Sequence, residues 1–415
     1  MHSSNETSGS RLILRLLLVV GVVMAAVALA ACGSSNSSSS STTESTETEE
    51  TEPATSEPEG ASGSTETTVY AKGVPTLAEL YEGSEEEPPT SGPKAVAGKS
   101  MIVVSAGEES EGARVATEYL VEAGTKIGWK ASNLDGKLNV NNGYSNAIRT
   151  AIASKPDAIV LVGINCPEVK TSLEEVKSAK IPLFSYAGLD CGTGSEELFT
   201  MPQEYNKNAG NAEESYEEYG EFMAAYAINA TEGKGKIIQT TFTAGFGEAI
   251  AKGQETVLAK CTECEVVENV EFEPAETAPG GLLYSKFETA LTKYPEANAA
   301  LITFDSLATA GLSKAIVDSG RSDEIFAVAA EGHKETLRLI REGAGLNAEG
   351  AASSTGWTAW GLVDNINRFF AGEPSVPPGV GFVSISKEKN MPPAGQNYET
   401  SVEYKPAYEK IWSGK

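Results

Sequence analysis

The chain has 415 residues, with 32 Lys and Arg against 58 Asp and Glu, for a formal net charge of −26 at neutral pH. So acidic a surface repels nucleic acid phosphates and anionic lipid surfaces, which excludes nucleic acid as a partner. The two histidines are His2 and His333, so no Ser-His-Asp set can be assembled, and the chain is not expected to be an enzyme or to need a cofactor.

Arg11 and Arg15 precede an uncharged apolar run, Leu16 to Ala31, that ends in small residues before Cys32. A basic start, an apolar middle and a small-residue end make the three parts of an export signal, and the run is shorter than the roughly 20 residues of a membrane span. From Gly33 to Thr68 there is no aromatic residue, no aliphatic residue larger than Ala and no Lys or Arg. Such a segment cannot bury enough apolar surface to offset chain entropy, so it reads as an extended tether. The expected organisation is a signal over 1–31, a tether over 32–70, an N-terminal extension over 71–98 and two globular lobes beyond.

From Met101 the pattern becomes regular. "MIVVSA", "KASNLDG", "DAIVLVGI" and "IPLFSYA" have strand character, separated by stretches with helical spacing such as Tyr144, Ile148 and Ile152. A second series follows, with strands at "GKIIQTTF", "EVVENVEF", "AALITFD" and "IFAVAAEG". Continuous rather than alternating apolar strands, each followed by a helix, predict parallel sheets covered on both faces. The fold class expected is α/β: two Rossmann-like lobes with parallel sheets, joined by a hinge. The first lobe is assigned 99–205 plus about 351–385, and the second 206–350 plus about 386–415. Ligands of such sheets bind at the carboxyl ends of the strands, which makes the cleft between lobes the expected site.

The segment Leu29-Ala30-Ala31-Cys32 resembles the lipobox of bacterial lipoproteins, which implies that Cys32 is lipidated and anchors the chain to a membrane. With Cys32 set aside, four cysteines remain in an exported chain, compatible with three disulfide pairings. Cys166 and Cys191 follow successive strands, whose ends are neighbours in a parallel sheet, so the pairing chosen is Cys166–Cys191 with Cys261–Cys264. C-T-E-C lacks the second cysteine pair or histidines of a zinc site, and no metal is expected.

The stretch 99–385 resembles type I periplasmic binding proteins, the ribose-like sugar receptors of ABC transporters. The resemblance rests on an ordered series: "GYSNAIRTAIASKPDAIVLVG", "AKIPLFSYAG", "AIAKGQETV", "ITFDSLATAGLSKAIVDSG" and "VAAEGHKE". It implies a monomeric receptor that closes on a sugar or similar small polar ligand and hands it to an ABC permease. A sensor subunit for a membrane signalling receptor, or a glycosidase using Asp305 and Glu331, are the alternatives. The departures are specific. Lys252 stands where the family places arginine, Phe304 where asparagine precedes the aspartate Asp305, Glu331 where aspartate is usual, and "SAGEES" where an Asn-Pro-aromatic turn is usual. The ligand-binding residues expected from strand ends and from the resemblance are Ser105, Glu108, Tyr186, Phe246, Lys252, Phe304, Asp305, Glu331, Thr355 and Trp357. Each also has a structural reading: Asp305 and Glu331 as helix caps, Lys252 as a solvated helix residue, Trp357 as core.

Overall fold

The computed structural model describes residues 65–415 except 193, 208, 210, 244 and 278–280. The expected signal, Cys32 and nearly all of the expected tether lie outside the described residues. No helix among the described residues is long and apolar enough to cross a membrane.

The first helix, α1 (Leu77–Glu82), starts at Thr76, whose hydroxyl accepts from the Glu79 N–H while the Glu79 carboxylate accepts from the Thr76 N–H. This reciprocal box satisfies two of the backbone donors that a helix start leaves open. Then come β1 (Ser100–Ser105), α2 (Glu111–Lys126), β2 (Lys130–Asp135), α3 (Gly143–Ser154), β3 (Ala158–Val162), α4 (Cys166–Ser178) and β4 (Leu183–Tyr186). These strands form a parallel sheet in the order β2-β1-β3-β4. Every residue of β3 is buried, as a strand covered on both faces requires.

The second series is α5 (Ala212–Ala230), β5 (Lys236–Phe242), α6 (Phe246–Leu258), β6 (Glu265–Phe272), α7 (Leu283–Lys293), β7 (Ala299–Leu301), α8 (Asp305–Leu307), α9 (Ser313–Asp318), β8 (Phe326–Ala329) and α10 (Lys334–Glu342). The chain ends with β9 (Ala348–Ala352), α11 (Thr355–Ala371), β10 (Val383–Ser386) and α12 (Tyr404–Ser413). The second sheet has the order β10-β9-β8-β7-β5-β6, parallel except for β10, which runs antiparallel to β9. Between α8 and α9 the chain makes a π turn at Ala308–Leu312, where Gly311 has φ 145°.

The two-lobed α/β expectation holds, but the division of the C-terminal third needs correction. Residues of α11 and α12, including Trp360, Tyr408 and Trp412, belong to the core of the first lobe. β9 and β10, with Val383 and Ile385, belong to that of the second. The physical reason is apolar surface. The first lobe's four-stranded sheet needs α11 across one face, and α12 in turn covers the tryptophans of α11, whereas the exposed edge of β9 is capped by β10.

The 71–98 extension is docked along both lobes. Leu80 is buried in the second core. Gly83, at φ 78°, packs so closely that a Cβ there would lie 2.5 Å from the Phe382 carbonyl oxygen. The Glu86 N–H donates to the Gly379 carbonyl (2.8 Å), the Ala95 N–H to the Trp412 carbonyl (3.0 Å), and the Trp129 indole N–H to the Val96 carbonyl (2.8 Å).

Both chosen disulfides are present, Cys166–Cys191 with Cα atoms 4.9 Å apart and Cys261–Cys264 with Cα atoms 5.3 Å apart.

Candidate functional site

The carboxyl ends of β1, β3 and β4 face those of β5, β6, β7 and β8 across a cavity of about 640 Å³. Ala106, Val162, Gly163, Tyr186 and Ala187 border it from the first lobe, and Phe242, Phe272, Phe304 and Glu331 from the second. The chain segments that pass between lobes contribute Tyr205, Ser353, Thr355, Val380 and Phe382. The size suits a small organic ligand.

One wall is a run of rings. Tyr216 lies 5.3 Å from Phe246 between ring centroids, Phe246 lies 5.1 Å from Phe242 and 5.8 Å from Phe304, and Phe304 lies 6.3 Å from Phe272. These contacts have the tilted and edge-on geometries that aromatic pairs favour. The Tyr216 and Tyr205 hydroxyls are 3.1 Å apart, and the Tyr205 hydroxyl donates to Gln203 (2.8 Å), so these rings are held in place from outside the cavity.

At the floor lies a group of acids around one histidine. The Asp305 N–H donates to Glu331 Oε2 (3.0 Å), and the His333 N–H donates to Asp305 Oδ2 (2.7 Å). His333 Nδ1 is 3.3 Å from Asp305 Oδ2 and 3.6 Å from Glu331 Oε2. Burial pushes the Glu331 carboxyl up to about 8; the His333 charge opposes the shift and the Asp305 charge adds to it. For His333, burial works to lower the imidazole, but the hydrogen bond to Asp305 and the charge of Glu331 outweigh it and hold the ring at about 9. Glu349, on β9 below, is raised well above the usual carboxylate range by burial and by Asp305. Glu111, at the start of α2, is raised as well, chiefly by burial.

Glu331 has φ 115°, a left-handed backbone that a residue with a side chain adopts only at a cost of about 1–3 kcal/mol. The conformation carries its carboxylate across the cleft. A Cβ on Gly112, in the first turn of α2, would lie 2.8 Å from Glu331 Oε1, so the carboxylate reaches the backbone of the other lobe.

Of the ten residues expected to bind ligand, Tyr186, Phe246, Phe304, Glu331 and Thr355 border the cavity. Asp305 is wholly buried one step behind, where it holds Glu331 and His333. Four expectations are corrected. Lys252 points outward and pairs with Glu217, because its position on α6 falls on the solvent face. Trp357 is fully buried, stacked 6.0 Å from Tyr404 in the first core. Ser105 is buried and uses its hydroxyl to accept from the Gly107 N–H (3.2 Å). Glu108 accepts from the Asn133 amide (3.0 Å) at the rim. Sequence reasoning missed Tyr205, Tyr216, Phe242, Phe272 and His333. Phe242 and Phe272 end β5 and β6, so the strand-end rule alone pointed to them. Tyr216 lay in an acidic helix that reads as a solvated face.

Two lobes closing around a cavity at their strand ends define the class: a bilobed solute-binding protein. The periplasmic binding protein domain family matches residues 102–359, more than half of the chain, and the chain belongs to that family of solute-binding proteins, not to an enzyme family. Among solved structures, an ABC transporter solute binding protein from Agrobacterium vitis with bound allitol is 18% identical with a TM-score of 0.55, over 71% of this chain and 97% of that one. The periplasmic binding protein component of the arabinose ABC transporter from Shewanella sp. ANA-3, bound to L-arabinofuranose, is 19% identical with a TM-score of 0.57, over 75% and 95%. An ABC transporter solute binding protein from Mycobacterium smegmatis with bound glycerol is 16% identical with a TM-score of 0.58, over 72% and 99%. No curated protein matches the chain. The resemblance read from the ordered motifs is thereby borne out as to fold and family.

Proposed function

We propose that this chain is the extracytoplasmic receptor of an ABC importer, a lipid-anchored monomer that captures a small ligand of the sugar and polyol size class between its lobes and presents the closed form to a membrane permease. The observation that carries the reading is the cavity of about 640 Å³ between the carboxyl ends of two sheets in lobes joined by several chain segments. The relatives that hold allitol, arabinofuranose and glycerol support the size class. The lipobox-like segment before Cys32 supports the anchor.

Binding is hinge closure, in which a ligand stabilises the closed arrangement by touching both lobes at once. A thermal-shift panel of sugars, polyols, amines and nucleosides tests it. A ligand at 100 times its Kd stabilises by about 2.7 kcal/mol. Small-angle scattering with the same ligand is expected to show a smaller radius of gyration. A ligand that raises the melting temperature without compaction overturns the closure reading. Cys32→Ala is expected to move the protein from the membrane fraction to the soluble fraction, and unchanged membrane association overturns the anchor.

A further inference from the structure

The lining of the cleft has a one-sided chemistry. Among the described residues that border the cavity there is no Lys, Arg, Asn or Gln. Vicinal hydroxyls are best read by planar groups that donate and accept side by side, and a buried hydroxyl left unpaired costs about 1–3 kcal/mol. This cavity offers few such groups. It offers instead a continuous ring wall from Tyr216 through Phe246 to Phe304, and the carboxylate of Glu331 at its floor.

An ammonium group has the complementary needs. It has donors only, and it is drawn both to carboxylates and to the faces of aromatic rings within about 6 Å. Behind Glu331 lie two more carboxyls. Asp305 and Glu349 are 0% exposed and hydrogen-bond each other, and burial with that neighbour pushes the Glu349 carboxyl well above the usual carboxylate range. His333, 2% exposed, borders the same cavity and, held at about 9, carries one positive charge among these carboxyls. The cation that sequence reasoning placed here, Lys252, lies outside, paired with Glu217. A cluster with several carboxyls and a single cation, His333, therefore opens into a chamber walled by rings.

Resting on the receptor reading above, we infer that the ligand this cleft selects carries a protonated amine on a ring-sized body with apolar faces. The amine sits against Glu331, whose proton passes to solvent as the ammonium takes its place, and the body lies along the wall of Tyr216, Phe246 and Phe304. Such a body is a sugar ring, whose C–H faces stack on aromatics, or an aromatic ring. The shared chemistry is the ammonium.

Matched pairs test the inference. Isothermal titration of the full chain compares D-glucosamine with D-glucose, and phenethylamine with 2-phenylethanol. The expected result is at least tenfold tighter binding of an amine than of its neutral partner in one pair or both. Glucosamine alone identifies a sugar-like body, and phenethylamine alone an aromatic one. Glu331→Gln is expected to abolish the preference, bringing each amine and its neutral partner to equal affinity. Circular dichroism shows that the variant is folded, and Tyr216→Leu, which removes a ring face and keeps every charge, is expected to weaken the amine more than tenfold as well. Equal binding of amine and neutral partner in both pairs, or binding of neither amine, overturns the inference. Neutral sugars that bind as tightly as the amines and compact the protein overturn the inference while leaving the receptor reading in place.

Discussion

At the scale of single residues, Glu331 concentrates the most physical work. Its positive φ is tolerated because Asp305 and the neighbouring turn hold it, and its carboxylate reaches the first turn of α2 in the other lobe. The pH dependence follows from Glu331 and His333 together, with Asp305, Glu349 and Glu111 as the charged neighbours. Glu331 is raised to about 8, so between the ordinary carboxylate range and that value the folded protein holds a proton that the unfolded chain has lost. His333 is raised to about 9, so between the ordinary imidazole range and that value the same holds. Where the folded state binds more protons, stability falls as pH rises. The melting temperature of the ligand-free protein is therefore expected to fall steadily from about pH 5 to about pH 9. Glu331→Gln should flatten the lower part of that slope. A melting temperature that climbs across the window contradicts the arrangement described.

At the scale of elements, the extension and the disulfides are the parts whose roles are easiest to separate. Leu80 on α1 is 1% exposed in the second core, and Leu→Ala at such a site costs about 2–5 kcal/mol. Chemical denaturation of Leu80→Ala is expected to show a loss in that range, because α1 is part of the fold and not a continuation of the tether. A loss below ~1 kcal/mol would mean that the extension is dispensable. The disulfides differ in the loop they close. Cys166 and Cys191 are 25 residues apart and Cys261 and Cys264 only 3. In the chain-entropy account the longer loop contributes about 3.5 kcal/mol and the short one about half of that. Paired Cys→Ser substitution at 166 and 191 should lower the denaturation midpoint more than the pair at 261 and 264. The strand-end argument located the first bridge correctly because parallel neighbours end side by side. It had no means of locating β9, whose sequence Ala-Glu-Gly-Ala-Ala is poor in β-branched residues and becomes a strand through its pairing with β8 and β10.

At the scale of the whole molecule, the lobes are not consecutive pieces of chain. The first core includes Trp357, Trp360, Tyr408 and Trp412, which come from α11 and α12, and the second lobe's β10 lies between these two helices in the chain. Trp360 stacks on Trp412 at 5.2 Å between centroids. A fragment of residues 99–205 therefore lacks one side of its core. Expressed alone it is expected to give no cooperative unfolding transition, and a sharp transition would show that α11 and α12 are accessory.

What the sequence by itself determined is local or ordered. The strand and helix alternation, the parallel sheets and the strand-end cleft follow from hydrophobic periodicity, which each segment carries alone. Phe304, Glu331 and Tyr186 were legible as site residues because they sit at strand ends. The direction a helix face takes and the partner of a late segment are set by packing between residues far apart in the chain. For that reason only the tertiary structure decided that Lys252 faces solvent, that Trp357 is core, and that Tyr216 on an acidic helix turns its ring into the cleft. The same packing removed the expected cation from the site and left carboxylates facing a wall of rings, the feature from which the ligand's charge was inferred.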